Sequence, residues 1–219
     1  MAVLVKICGI TTADAADAVV RAGADFAGLM FHPKSPRNVD MAQAVALAER
    51  MRGRVKLVVV MSDPADETLA AAVGAVKPDL IQLHGAETAV RVGAIRSRFG
   101  APVMKVMSVA TAEDLANVAK YEEAADMLMF DAKAPGGAAR EGGHGAAFDW
   151  QILRGRKFQK PWLLAGGLTV ENVTRAIRAC ETPGVDVSSG VETAPGKKSP
   201  EMIAAFVSAA RNAQYGAAA

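Results

Sequence analysis

Eight times along this chain, a short run of Val, Ile, Leu, Met and Phe gives way to a helical pattern, typically alanine-rich with interspersed charges. The runs occupy 4–8, 26–31, 55–60, 80–84, 103–107, 127–131, 161–166 and 184–188. The helical patterns follow at 13–22, 40–52, 65–76, 87–98, 111–121, 149–155, 170–180 and 199–213. Near-continuous apolar runs suit parallel strands, which are covered on both faces. Parallel neighbours need a crossover between them, and alanine-rich segments with charges at helical spacing supply it. Eight such units in 219 residues predict an α/β fold, a single (β/α)8 TIM barrel at the compact end of its range. The domain is expected to span 1–219, with 213–219 as a frayed C-terminal tail. An open doubly wound sheet is the competing arrangement. It would place a glycine-rich dinucleotide fingerprint after the first strand, where this chain has "CGITT". Thr12, Asp63-Pro64 and Asp149 stand where caps of the first, third and sixth helices are expected.

Composition narrows the function classes. Hydrophobic residues make up 51% of the chain and aromatics 5%, so the core must be mostly aliphatic and methionine. The net charge of +2 is scattered, which argues against nucleic-acid partners and a polybasic membrane segment. No apolar run is long enough to span a bilayer, and the N-terminus lacks a signal-peptide pattern. Cys8 and Cys180 lie far apart and outside any metal-ligand spacing, so a reducing cytoplasm is the expected location. Three histidines without a matched acidic cluster make a metal site improbable.

A barrel of this kind keeps its chemistry at the C-terminal ends of its strands. Strand 1 ends in Cys8-Gly9, strand 2 runs into "HPKSPRN", strand 4 ends in Gln82, His84 and Gly85, and strand 6 ends in Asp131. Strands 7 and 8 end in "LAGGLT" and "DVSSGVE", the two positions where barrels often bind phosphate. Glycines there let backbone N–H groups approach an anion, and serine hydroxyls add donors. Asp131 reads as a helix cap, as a rim carboxylate paired with Lys133, or as a general acid. Arg37 reads as a bidentate carboxylate partner or as surface charge. His84 is a base or a hydrogen-bonded strand end. Cys8 is a small core residue or a reactive thiol; cationic surroundings would lower its pKa. Lys6 shares its strand face and would supply such a charge. The long glycine-rich stretch after strand 6, with His144, reads as a lid.

Taken in order, "KICGIT", "FHPKSPRNV", "LIQLHG", "FDAKAPGG…GGHGAAFDW", "LLAGGLTVENV" and "GVDVSSGVETAPGKKSP" resemble the phosphoribosylanthranilate isomerase family over nearly the whole chain. The resemblance implies an Amadori rearrangement in tryptophan biosynthesis, with no metal or organic cofactor. It implies a small-molecule phosphosugar as partner and a monomer or homodimer. On this pattern Cys8 is the general base and Asp131 the general acid, while Arg37 holds the anthranilate carboxylate. Gly166, Gly167, Ser188, Ser189 and Gly190 surround the phosphate, and Gln82, His84 and Asp186 line the pocket. The related aminoaldose isomerase of histidine biosynthesis typically has an aspartate where this chain has Cys8. A phosphosugar-binding barrel without activity would not need the Cys8/Asp131 pair.

Overall fold

A computed structural model describes residues 2–132 and 149–213. The strands are β1 (Leu4–Cys8), β2 (Phe26–Met30), β3 (Lys56–Met61), β4 (Leu80–Leu83), β5 (Val103–Val109), β6 (Met127–Ala132), β7 (Trp162–Leu164) and β8 (Gly184–Val187). They pair in parallel in that order, and β8 closes on β1 with Leu4 opposite Gly184 and Lys6 opposite Asp186. The closed barrel is the fold the eightfold pattern predicts.

Helices α1 (Ala13–Ala22), α2 (Met41–Met51), α3 (Asp66–Val76) and α4 (Ala89–Phe99) fall within two residues of their expected limits. So does the C-terminal limit of α6 (Val173–Cys180) and of α7 (Pro200–Arg211). Thr12 caps α1 by accepting from the Ala15 amide. Three expectations need correction. The fifth helical pattern splits into a 3-10 turn over Ala112–Leu115 and a short helix α5 (Val118–Ala124). After β6, the expected helix at 149–155 is one 3-10 turn, Trp150–Leu153, capped by Asp149 and ended at Arg154, whose backbone is extended (φ -62°, ψ 132°). Asp63 does not cap α3, whose N-cap is Ala65. Asp63 has φ 45°, and its carboxylate accepts from Ala86 N in the next loop instead. Ala213, expected in the tail, is buried. The glycine-rich stretch expected as a lid, with Lys133 and His144, lies outside the described residues, as does 214–219.

Strand alternation divides the core in two. Val5, Ile7, Ala27, Leu29, Leu57, Val59, Ile81, Leu83, Leu128 and Phe130 pack outward against the helices. Val58, Val60, Leu80, Met104, Val106, Met127, Met129 and Leu163 fill the barrel interior together with Cys8. Lys6, Gln82, Asp131 and Asp186 have the interior parity. They are buried polar groups at one end of an apolar barrel, and burial of that kind demands partners.

The opposite end is built differently. Asp25, just before β2, accepts from Val5 N through its carboxylate at 2.7 Å, and its own amide donates to Val5 O at 2.9 Å. Asp79, before β4, makes the same two bonds to Leu57. Asp126, before β6, makes them to Val103. Each aspartate thus ties the start of one odd-numbered strand to the strand that follows it.

Candidate active site

The C-terminal strand ends open into a cleft of about 740 Å³, counting the part open to solvent. Cys8, Arg37, Gln82, His84, Asp131, Asp186 and Ser188 all line it, as do His32 and Lys34 from the loop after β2. A smaller recess of about 320 Å³ adjoins it, walled by Gly166, Gly167, Ser188 and Ser189 and sharing Asp131 and Asp186 with the cleft. The structure therefore brings together residues that the sequence places up to 180 positions apart.

The thiol of Cys8 is buried, and burial pushes its pKa above the ordinary value. The Lys6 ammonium pulls it back in part, by its charge and by a hydrogen bond. Burial thus outweighs the lowering that nearby cations predict. Lys6 itself is fully buried and donates to Asp186 Oδ1 at 2.8 Å. Burial works against its charge, but Asp186 and Cys8 outweigh that and hold its pKa up. The thiol therefore faces a fixed cation from the residue two positions earlier on its own strand.

Gly9 does two things. Its φ of 78° turns the chain off the barrel, and its missing side chain lets Arg37 lie against it, since a Cβ there would stand 2.6 Å from Arg37 Cδ. Arg37 is not a surface charge. Its Nε and Nη2 donate to the two carboxylate oxygens of Glu192, each at 2.8 Å. That bidentate pair fixes the plane of the guanidinium and takes one of its edges.

His84 has Asp131 as its partner, with Nε2 3.3 Å from Oδ2. The loop holding His84 is braced by a buried ion pair beneath it. Lys105 of β5 donates to Glu87 Oε2 at 2.8 Å and to Gly85 O at 2.7 Å, while Glu87 accepts from the amides of Asp63 and Gly85. Gln82 is buried, and its Oε1 has no hydrogen-bond partner among the described residues although it lines the cleft.

The recess depends on close backbone packing. Gly166 and Gly167 have φ of 90° and 64°. Asn172 ties their turn by accepting from Thr169 N and donating to Gly167 O, each at 2.8 Å. A Cβ on Gly190 would collide with the Leu168 carbonyl oxygen, and one on Gly166 with the Ala132 amide. Gly190 thus serves the recess by letting the loops after β7 and β8 touch. Gly190→Ala is expected to destabilise the fold by about 2–3 kcal/mol, read as a lower urea midpoint; an unchanged midpoint would contradict this packing. The Ser188 hydroxyl donates to Cys8 O at 3.1 Å, so it joins β8 to the strand end that carries the thiol.

Sequence reasoning missed Glu192 and Lys198. They face each other across a small hairpin, β9 (Glu192–Ala194) and β10 (Lys197–Lys198), turned at Pro195-Gly196. The Lys198 ammonium donates to Glu192 and to Ser188 O at 3.1 Å. The Pro-Gly pair is a turn signal that could have revealed the hairpin, and an acid and a base flanking it could have revealed the pair. Cys180 is buried and stands apart from the cleft residues; burial pushes its thiol up to about 11. Among the described residues no group of three or more His, Cys, Asp or Glu could hold a metal ion. No described helix is long and apolar enough to cross a membrane.

Comparison with known proteins gives one consistent result. The family profile described as N-(5'phosphoribosyl)anthranilate (PRA) isomerase matches residues 5–209. An N-(5'-phosphoribosyl)anthranilate isomerase of Rhodopseudomonas palustris (strain BisA53) is 50% identical over 207 residues, covering 94% of this chain and 95% of the relative. One of Paramagnetospirillum magneticum is 53% identical over 211 residues, covering 96% and 98%. The crystal structure of the Thermotoga maritima phosphoribosyl anthranilate isomerase superposes with a TM-score of 0.85 at 33% identity, covering 95% of this chain and 98% of that one. A phosphoribosyl anthranilate isomerase in complex with reduced 1-(o-carboxyphenylamino)-1-deoxyribulose 5-phosphate superposes with a TM-score of 0.81 at 32% identity and the same coverage.

Proposed function

The chain belongs to the N-(5'-phosphoribosyl)anthranilate isomerase family and is an aldose–ketose isomerase of tryptophan biosynthesis; we propose that it works by general acid–base catalysis, with Asp131 as the acid and Cys8 as the base. The observation that carries this reading is the convergence of Cys8 and Asp131 on one cleft that opens into the glycine- and serine-walled recess. The recess suits the 5-phosphate, and the cleft suits the ribose and the anthranilate ring. The compound held by the related structure contains this phosphate, a sugar chain and an aromatic carboxylate.

Asp131 donates a proton to the ribose ring oxygen as the C1–O bond breaks. The anilino nitrogen supplies its lone pair to C1, leaving a protonated Schiff base. Cys8, as thiolate, then takes the proton from C2. The C2–H electrons form C1=C2 and neutralise the nitrogen, giving an enolamine that relaxes to the 2-ketone. Acid and base must be poised in opposite protonation states, and the site gives them different surroundings. Asp131 faces His84, and Cys8 faces Lys6. A thiol with a raised pKa is less populated as thiolate but is a stronger base once ionised, which suits removal of a carbon-bound proton.

Arg37 meets the anthranilate carboxylate with the guanidinium edge that Glu192 leaves open. Arg37→Ala is expected to raise KM about 10- to 100-fold with a smaller fall in kcat. Lysine at this position should not restore it, because a point charge cannot reproduce the planar fork. An unchanged KM would remove Arg37 from substrate binding. The activity itself is read by fluorescence-monitored conversion of phosphoribosylanthranilate with the purified protein, and a folded, inactive protein would overturn the reading. Monomers generated from the dimeric Thermotoga maritima enzyme have a solved structure, and either assembly state is compatible with a cleft built from one chain.

A further inference from the structure

More cations gather around Cys8 than the acid–base scheme uses. Lys6 from β1, Arg37 from the loop after β2 and Lys198 from β10 all act on the Cys8 thiol. The carboxylates among them are Asp186 of β8 and Glu192 of β9. Lys6 and Asp186 pair one to one at 2.8 Å. Arg37 and Lys198 share a single partner, Glu192, with Arg37 taking both its oxygens and Lys198 sharing one. The first pair is neutral as a unit, while the second group carries one positive charge in excess. His84 and Asp131 lie across the cleft, and His32 and Lys34 lie on its rim loop.

The Lys198 side chain has no exposed surface. An isolated buried ammonium is costly, and here burial does pull its pKa below the ordinary value, against the support of Glu192. A neutral side chain of similar length could pack in its place without that cost. Its second contact is to Ser188 O at 3.1 Å, and the Ser188 hydroxyl donates to Cys8 O. Lys198 is thus joined through Ser188 to the Cys8 carbonyl, which holds it beside the strand end that carries the thiol, and its charge acts on that thiol. Arg37 serves the substrate carboxylate, so its charge is neutralised in the complex. Lys198 lines neither the cleft nor the recess.

We propose that Lys198 is a positioning residue whose charge is a second standing counter-ion of the Cys8 thiolate, beside the Asp186-paired Lys6, while Glu192 holds Lys198 and Arg37 apart in these two tasks. The inference rests on Cys8 being the base, yet its test does not depend on turnover. Iodoacetamide is neutral and alkylates thiolates, so its rate at Cys8, followed by mass spectrometry, reports the thiolate fraction directly. Lys198→Gln keeps a donor for Glu192 and Ser188 O but removes the charge. At about pH 8, below the thiol pKa, it should alkylate roughly tenfold more slowly than the parent, a shift of about one unit in the thiol pKa. Lys198→Arg, which keeps the charge, should alkylate at a rate near the parent's. A rate for Lys198→Gln within twofold of the parent overturns the proposal. So does an equal fall in Lys198→Arg, because shape and not charge would then be responsible. Should Lys198→Gln not fold, Lys198→Met, with Glu192 still held by Arg37, carries the same comparison. The rising limb of kcat/KM should move up in pH along with the alkylation limb. If alkylation shifts and that limb stays in place, the counter-ion assignment stands and Cys8 is not the base.

Discussion

Cys8→Ala is expected to lower kcat by about 10³- to 10⁴-fold, the range for loss of a positioned general base. The fold should survive, because the substitution removes one sulfur from a strand whose neighbours are held by the barrel ladder. Binding of a product analogue should change little, since the recess and Arg37 are untouched. Serine at this position should be nearly as poor as alanine, since its hydroxyl cannot ionise in the working range. The pH dependence of the parent follows from the same thiol. The base must be deprotonated to act, and burial raises its pKa; activity should therefore rise with pH as the thiol ionises, and that limb should vanish from the residual activity of Cys8→Ala. Turnover within tenfold of the parent would remove Cys8 from the mechanism.

Asp131→Asn should show a loss of similar size for the opposite reason. Asparagine has the shape of the carboxylic acid but cannot release a proton to the ring oxygen. Shape matters here because the Asp131 carboxylate packs against Gly166, where even a Cβ would stand 2.9 Å from Oδ1. Asparagine preserves that contact, and a larger residue would close the passage between cleft and recess. The variant should keep the parent's rate of Cys8 alkylation while losing about 10³- to 10⁴-fold in kcat. A fall in both would mean that the substitution had disturbed the whole site. A substrate analogue already opened to the Schiff base should be isomerised at a rate much closer to the parent's, and failure to recover there would place Asp131 in the later step.

The strands and their polarity are legible in the sequence because local apolar runs decide them. Their C-terminal residues follow, and with them Cys8, Gln82, His84, Asp131 and Asp186. The limits appear where the decisive partner is remote. Lys6 can be assigned a strand face from its spacing, but its partner Asp186 becomes its neighbour only when β8 closes on β1. Arg37 reads as a carboxylate binder, yet the carboxylate it already holds belongs to Glu192, 155 positions later. Asp63-Pro64 looks like a helix start by local chemistry, and the Ala86 amide of the next loop takes the aspartate away. The sixth helical pattern holds an aspartate cap and apolar residues, but the backbone turns extended at Arg154, just before Gly155 at φ 70°, and the helix ends after one turn. Local signals are reliable where the backbone alone satisfies them, and they fail where side chains from other units compete.

The three aspartates at the far end of the barrel also say something about inheritance. Each joins an odd strand to the next even one, so the chain is bracketed as β1–β2, β3–β4 and β5–β6. After β8, Ser188 is instead engaged at the chemical end, where its hydroxyl binds the Cys8 carbonyl at the end of β1 and its own carbonyl accepts from Lys198 of the hairpin. A segment exchanged or duplicated within this chain would keep its own fastenings if cut between brackets and would lose them if cut within one. Across β1 to β6, the strand pair rather than the single βα unit is thus the smallest piece that carries its own closure.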